Sequence, residues 1–465
     1  MKNINWDLIF WLSFLFSLTL KIFAILNKPF WLDEALTYHI ATVPFNYFFQ
    51  AVASDSNPPL YYLLIHFLTK INDSPILLRA PSLIANLSTS ILLYKNSGLI
   101  SNANVSKLAA VLFSISPLSI YLASEARLHS FSTFTITLCI LLFLRLLKSW
   151  STKALLLFAL SLTIAFYSQY YSILLLFPFT WIIWKKQKRN FKKWLSASLF
   201  PIGIFAPWVI YARGFGESGC YCPPSWFSLP ATLISPFIGG VGPVTIRVFP
   251  HMPLSAFVLI LSVAVVGVFI FIIGLSQKSL IKIIYLKLLF LLSFAGLFLP
   301  VFSPRGMAVF SPVFFIITSL GFLSFKRPKF MLSFLLLLAS VSIIQVVHPF
   351  FQSEKVENIY QITQQKPNVP MAHTSILTFY SLNYYSGKSS NFLTTPNPLK
   401  EKQVNLIGGQ RQDLDLQNSK VWLVDTDQLV DSQKRQETLD TLNKNYVMKE
   451  TYQINSVNVY LFEKR

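Results

Sequence analysis

A helical bundle threaded many times through a membrane, followed by a small soluble α/β domain, is the fold class this sequence predicts. Three observations carry it. Of 465 residues, 53% are hydrophobic and only 12% are charged, whereas a soluble domain carries about twice that charged fraction. Apolar runs of about 18 or more residues recur along the first three quarters of the chain, each long enough to cross ~30 Å of hydrocarbon. From about Gln352 the composition turns polar, with Asn, Gln, Ser and Lys turns between short alternating segments.

The spans fall near residues 6–26, 76–95, 105–122, 128–148, 154–169 and 171–184, then near 194–212, 255–276, 283–302, 307–325 and 330–348. The first lacks a small-residue cleavage site and exceeds a signal h-region, so it reads as a retained helix. Pro58 to Ile71 is apolar but only about fourteen residues long, short for a crossing. The expectation is about eleven full spans plus this short helix lodged near the outer face, with residues 33–57 as an outer loop lying partly along the membrane surface. Residues 1–350 form the membrane domain and 351–465 the soluble α/β domain. That domain has strands at Ser375–Tyr380, Val421–Val424 and Val457–Phe462 and an amphipathic helix at Asp431–Asn445.

The formal charge of +20 would suggest nucleic acid in a soluble protein. Here the basic residues sit in short loops between spans, the pattern that reports orientation and not a polyanionic ligand. Lys185, Lys186, Lys188, Arg189, Lys192 and Lys193, with Lys278/Lys282 and the 326–329 cluster, are cytoplasmic by that rule. Alternation then puts the N-terminus inside, and residues 27–57, 123–127, 168–171, 213–254, 303–306 and the tail after His348 outside. Cys139 lies in an apolar run as packing. Cys220 and Cys222 stand too close for an unstrained bridge and no disulfide framework is implied.

Ionisable groups near membrane depth are expensive and therefore functional suspects. They form four clusters, all on the outer side of this topology: Trp31-Leu32-Asp33-Glu34-Ala35 with 55–62, Tyr121 to Arg127, Ser168-Gln169-Tyr170-Tyr171, and Ser303-Pro304-Arg305-Gly306. A hydroxyl acceptor is a poor nucleophile and needs a carboxylate to take its proton. A departing phosphate develops charge that arginine holds in a bidentate fork. Asp33 or Glu34 supplies the base; Arg127 and Arg305 supply the fork. Adjacent carboxylates repel, so one of the pair either titrates high or is neutralised by a cation; a divalent metal is one such cation, although no His/Cys ligand spacing accompanies it. On spacing alone, two charges just past a helix end are usually solvated surface, Arg127 serves equally as a headgroup anchor, and Asn57-Pro58-Pro59 is a helix cap with starting prolines. His39 and His66 read as loop and packing residues.

In order, the stretches WLDEALTYHIA (31–41), DSNPPLYYLLIHFL (55–68), LRAPSLIANL (78–87), YLASEARLHSF (121–131), SQYYSILLL (168–176) and SPRGMAVFSPVFFI (303–316) resemble the polyprenyl-phosphate-sugar-dependent glycosyltransferases of the GT-C fold. The nearest group by resemblance is the bacterial relatives of protein O-mannosyltransferases, with aminoarabinose transferase and the lipopolysaccharide galacturonosyltransferases. The resemblance covers roughly residues 1–350. It implies a GT-C bundle in a bacterial plasma membrane that moves a sugar, with inversion, from undecaprenyl phosphate to a hydroxyl of an extracytoplasmic lipid, polysaccharide or protein. It places the base at Asp33 with Glu34 beside it, and the phosphate at Arg127 and Arg305, with Asn57, Tyr61, Gln169 and Tyr170 lining the donor. The loop 213–254, with Arg213, Glu217 and Arg247, would close over that donor. The chain departs from the family at Asn57, where aminoarabinose transferases have a nearby basic residue, and at His129 and Gly306, where the motifs often carry tyrosine. A transporter or lipid flippase is the rival class, but it wants charges at the bilayer midplane and broken helices there, whereas these lie at span ends. A non-catalytic membrane scaffold that displays the soluble domain is a third.

Overall fold

The structure is a computed structural model; it describes residues 4–55, 57–100, 102–214, 228–239, 252–298, 304–347, 356–386, 391–395, 401–408, 418–427, 431–454 and 456–465. The chain divides into two compact units. The first comprises Met1–Leu26, Ser56–Tyr61 and Ile76–Phe351; the second comprises Asn27–Asp55, Tyr62–Pro75 and Gln352–Arg465. The loop after the first span, which the sequence assigns to the membrane domain, therefore groups with the polar tail.

The first unit is helical. Among the described residues, six of its helices are long and apolar enough to cross a membrane: Trp6–Asn27, Pro75–Lys95, Leu128–Lys148, Lys188–Arg213, Leu254–Ser276 and Pro328–Val347. At 1.5 Å per residue each reaches about 30 Å or more. The expected span 105–122 is instead two helices, Ala103–Ile115 and Pro117–Ala123, bent by 61°. Pro117 has no N–H to continue the first helix and forces the residue before it to be extended. Ser116 accordingly sits at φ −61°, ψ 131° and caps the second helix by accepting the Ser119 N–H. The expected spans 154–169 and 307–325 appear as shorter apolar helices, Thr152–Ser168 and Ser311–Phe325. The span expected at 171–184 opens with a 3-10 turn, Tyr170–Leu175, before Leu176–Lys186.

Packing inside this unit follows side-chain size. Phe143 stacks on Phe179 at 4.0 Å, and Phe158 and Trp194 close the same aromatic cluster. Where Leu254–Ser276 meets Ser311–Phe325, Gly274 lies so near the Ile317 carbonyl that a Cβ there would stand 1.9 Å from its oxygen. Small residues permit such close helix approach in membranes. Cys139 is buried.

The second unit carries a five-stranded sheet in the order β2-β1-β3-β5-β4, with β1 Met371–His373, β2 Asn391–Leu393, β3 Lys420–Asp425, β4 Tyr446–Ile454 and β5 Val457–Lys464. β1 pairs parallel with β2 and β3, while β5 runs antiparallel to both β3 and β4. Alternation along β3 sends Trp422 and Val424 to one face with Met371, Val459 and Leu461, and Val421 and Leu423 to the other with Ala372, Phe462 and Leu442. Two expected strands and the expected helix are present. Ser375–Tyr380 is not a strand: Ile376–Ser386 is a helix, started by Ser375, whose Oγ accepts the Leu377 N–H. Six residues with apolar and polar positions mixed fit either period, and the capping serine decides for helix.

Candidate active site

The Asp33-Glu34 pair opens the helix Leu32–Ala41, preceded by Trp31 in extended conformation. Acidic residues in a first helical turn face the positive end of the helix dipole. The two side chains have different environments. Glu34, at the third helical position, is fully buried, and the Trp31 N–H donates to its Oε2 at 3.5 Å. This is the return half of a capping box, so Glu34 has a structural task. Asp33 is half-buried, and its carbonyl accepts the Thr37 hydroxyl at 2.9 Å.

The Leu32–Ala41 helix packs on the tail helix Ile376–Ser386 within the second unit. Phe30 N–H donates to Tyr385 Oη at 3.2 Å, and Tyr385 in turn donates to Glu357 at 2.8 Å. The Tyr384 ring stacks on Phe30 at 4.2 Å and meets Tyr38 edge-on, while its hydroxyl donates to the Asp73 carbonyl at 2.6 Å. Tyr38 donates to the Asp73 carboxylate at 3.3 Å, and His39 Nε2 lies 3.1 Å from the Tyr380 carbonyl. Burial, followed by the Asp73 charge, raises the Tyr38 hydroxyl above its ordinary value. Burial drives Tyr385 higher still, and the nearby Glu357 adds to the rise. Both therefore remain protonated donors. In the same unit Tyr62 donates to Asp55, and His66 Nδ1 lies 2.6 Å from the Ala41 carbonyl.

The other predicted residues lie in the first unit. Arg127 is the N-cap of Leu128–Lys148, and its carbonyl accepts the Ser82 hydroxyl at 3.0 Å. Ser82 Oγ is also 3.1 Å from Tyr61 Oη, and both side chains are buried. Ser82 thus couples Tyr61 to the backbone at Arg127. Asn57 precedes Tyr61 on the same short stretch and is half-buried. Gln169 caps the Thr152–Ser168 helix and is buried; its carbonyl accepts the Ser172 hydroxyl at 2.6 Å. Tyr170 Oη accepts from Trp208 Nε1 at 2.9 Å.

Two further contacts draw the motifs of this unit together. Ala308, on the short helix Pro304–Ala308, packs with Leu118 and Leu122 of Pro117–Ala123. Gly306 faces the ring of Tyr171: a Cβ at this position would stand 1.9 Å from Tyr171 Cε2. The space that a motif tyrosine would need at 306 is occupied by the ring of Tyr171. Arg305 lies on the Pro304–Ala308 helix, but its side chain is outside the described residues. Ser303, Glu217, Arg247, Cys220 and Cys222 are also outside them. Arg213 ends the helix Phe191–Arg213 and is exposed. Among the described residues no group of three His, Cys, Asp or Glu side chains is arranged to hold a metal ion.

Sequence reasoning gave no separate role to Ser82, Glu125, Asp73 or the tail tyrosines, although Glu125 stood inside the Tyr121–Arg127 cluster and Ser82 inside the 78–87 motif. Glu125 had a visible signal, a carboxylate two residues before Arg127, and it is buried to 2% exposure. The tyrosines at 380, 384 and 385 form a stripe only at helical spacing, which the strand expectation concealed.

The comparisons bear on the fold. The profile of the dolichyl-phosphate-mannose-protein mannosyltransferase family matches residues 56–211. ArnT from Cupriavidus metallidurans bound to undecaprenyl phosphate superimposes with a TM-score of 0.60 over 99% of this chain and 98% of that one, at 10% identity. Its apo form gives 0.51 over the same shares at 11% identity. The archaeal oligosaccharyltransferase AglB from Archaeoglobus fulgidus, in complex with an inhibitory peptide and a dolichol-phosphate, gives 0.52 at 10% identity, over 99% of this chain and 74% of that one. No curated protein matches by sequence. The chain has the GT-C fold of a polytopic membrane protein, with a small strand-containing region at its C-terminal end.

Proposed function

We propose that the protein is an inverting glycosyltransferase of the extracytoplasmic face of a bacterial plasma membrane. It takes a sugar from a polyprenyl phosphate and delivers it to a hydroxyl of a lipid, polysaccharide or protein. The observation that carries this reading is the end-to-end correspondence with a structure bound to undecaprenyl phosphate, 99% of this chain on 98% of that one. In the reaction the acceptor oxygen attacks the anomeric carbon from the face opposite the phosphate. The new C–O bond forms as the bond from carbon to phosphate oxygen breaks, and the electron pair leaves with the polyprenyl phosphate.

Asp33 takes the acceptor proton. The division between a half-buried Asp33 and a buried Glu34 turned back on the Trp31 amide supports Asp33 as the base and Glu34 as its structural partner. Arg127 and Arg305 hold the phosphate as its charge develops. Asn57, Tyr61, Gln169 and Tyr170 supply neutral hydrogen-bonding groups to the donor. The test is in vitro transfer from a panel of labelled polyprenyl-phosphate sugars, with and without chelator, reading the anomeric configuration of the product by NMR. Transfer of one sugar with inversion is expected. Retention of configuration, or no transfer from any donor together with movement of the intact lipid across vesicles, would overturn it.

A further inference from the structure

We infer that the tail helix Ile376–Ser386 is a brace that positions the Asp33 helix, and that Tyr385 and Tyr384 are its positioning residues. The inference rests on the reading of Asp33 as the base. The soluble domain would then be part of the catalytic apparatus and not an appended module.

The geometry fixes the Asp33 segment at three heights. At its entry, the Phe30 amide donates to Tyr385 Oη, and the Tyr385 hydroxyl donates in turn to Glu357 on the helix Val356–Thr363. That hydroxyl is therefore a relay between a loop amide and a tail carboxylate, using one acceptor and one donor site. Midway, the Tyr384 ring packs against both Phe30 and Tyr38, and its hydroxyl donates to the Asp73 carbonyl, while Tyr38 donates to the carboxylate of the same residue. At the far end, His39 reaches the Tyr380 carbonyl. Phe30 is fully buried and His39 nearly so, so water does not readily replace these partners.

Asp33 is three residues beyond Phe30 and five before Tyr38, between the first two ties. A helix of ten residues is too short to hold itself in water, so its orientation comes from what it packs on. A general base must stay within hydrogen-bond reach of the proton that it takes, and a shift of about 1 Å is enough to cost catalysis. Neither tyrosine needs to touch substrate for this.

The test uses the full chain in lipid nanodiscs. Tyr385→Phe keeps the ring and deletes the relay. Its kcat is expected to fall about five- to tenfold, the effect of losing one hydrogen bond of ordinary net strength. The KM for the donor should stay within twofold, and amide exchange at 30–41 should rise. Glu357→Gln retains a carbonyl acceptor for the tyrosine and should remain within twofold of wild type. Tyr452→Phe removes a half-buried tail hydroxyl that is bonded to Glu450 and takes no part in the brace, and should leave transfer unchanged.

Combined with Asp33→Asn, Tyr385→Phe should produce no further loss of residual transfer; mere destabilisation would lower it again. If Tyr385→Phe does not fold, Tyr384→Phe carries the same test, because it keeps the ring against Phe30 and Tyr38 and loses the bond to the Asp73 carbonyl. Unchanged kcat in the tyrosine variants, with Asp33→Asn inactive, overturns the brace alone. A fully active Asp33→Asn overturns the base assignment and the brace with it.

Discussion

Replacing Gly306 by alanine tests how the motif following the last arginine is built. An ideal Cβ there would stand 1.9, 2.5 and 2.8 Å from Cε2, Cζ and Oη of Tyr171. Ordinary contact begins near 3.4 Å, so the ring or the Pro304–Ala308 helix must move by about 1.5 Å. Overpacking of this size costs about 1–3 kcal/mol. The displacement falls on the helix that carries Arg305 and on the neighbour of Tyr170, so donor affinity should suffer with stability. Binding of polyprenyl phosphate to Gly306→Ala in nanodiscs should weaken about five- to hundredfold. Tyr171→Leu, which removes the ring edge, should recover most of that loss when combined with it. The double-mutant cycle makes the prediction specific, because residues in direct contact are the ones that couple. Wild-type affinity and stability in Gly306→Ala would refute the reasoning, and so would strictly additive effects.

Two further outcomes are expected from the same packing. Ser82→Ala removes a buried hydroxyl that lies 3.0 Å from the Arg127 carbonyl and 3.1 Å from Tyr61 Oη; thermal unfolding in detergent should show a loss of about 1–3 kcal/mol, and the donor KM should rise. His373 is fully buried and its imidazole is pushed down to about 3 by desolvation. Its folded form thus resists protonation, so its contribution to stability is complete above about pH 6.5 and is lost as pH falls from there toward the folded value. At about pH 5 the loss is about 2 kcal/mol. Pulse proteolysis of the full chain should show it, and His373→Gln should flatten that pH dependence.

Much of the fold could be read in advance because membrane spans are written in long apolar runs. The helices Trp6–Asn27, Leu128–Lys148 and Leu254–Ser276 needed only length and hydropathy. The break at Ser116-Pro117 carried a local signal, a proline inside an apolar run, that hydropathy averages away. The Ile376–Ser386 helix was misread because its short mixed pattern suits two periods, and the serine cap outweighed the alternation. The grouping of the 27–55 and 62–75 segments with the tail was hidden for another reason. It arises from contacts between residues more than 300 positions apart, such as Phe30 with Tyr385, and no local pattern reports those. The candidate site stands out in the sequence as clusters of charge at span ends. Their separate tasks were not, since Asp33 and Glu34 are adjacent in sequence and differ only in burial and partner.

The central claim is that Asp33 is the base. Measuring transfer by Asp33→Asn, with donor binding and folding monitored in parallel, tests it most directly. The account predicts a fall in kcat of about 10²–10⁴-fold with polyprenyl-phosphate binding and unfolding temperature unchanged. Transfer at the wild-type rate in that variant would contradict it.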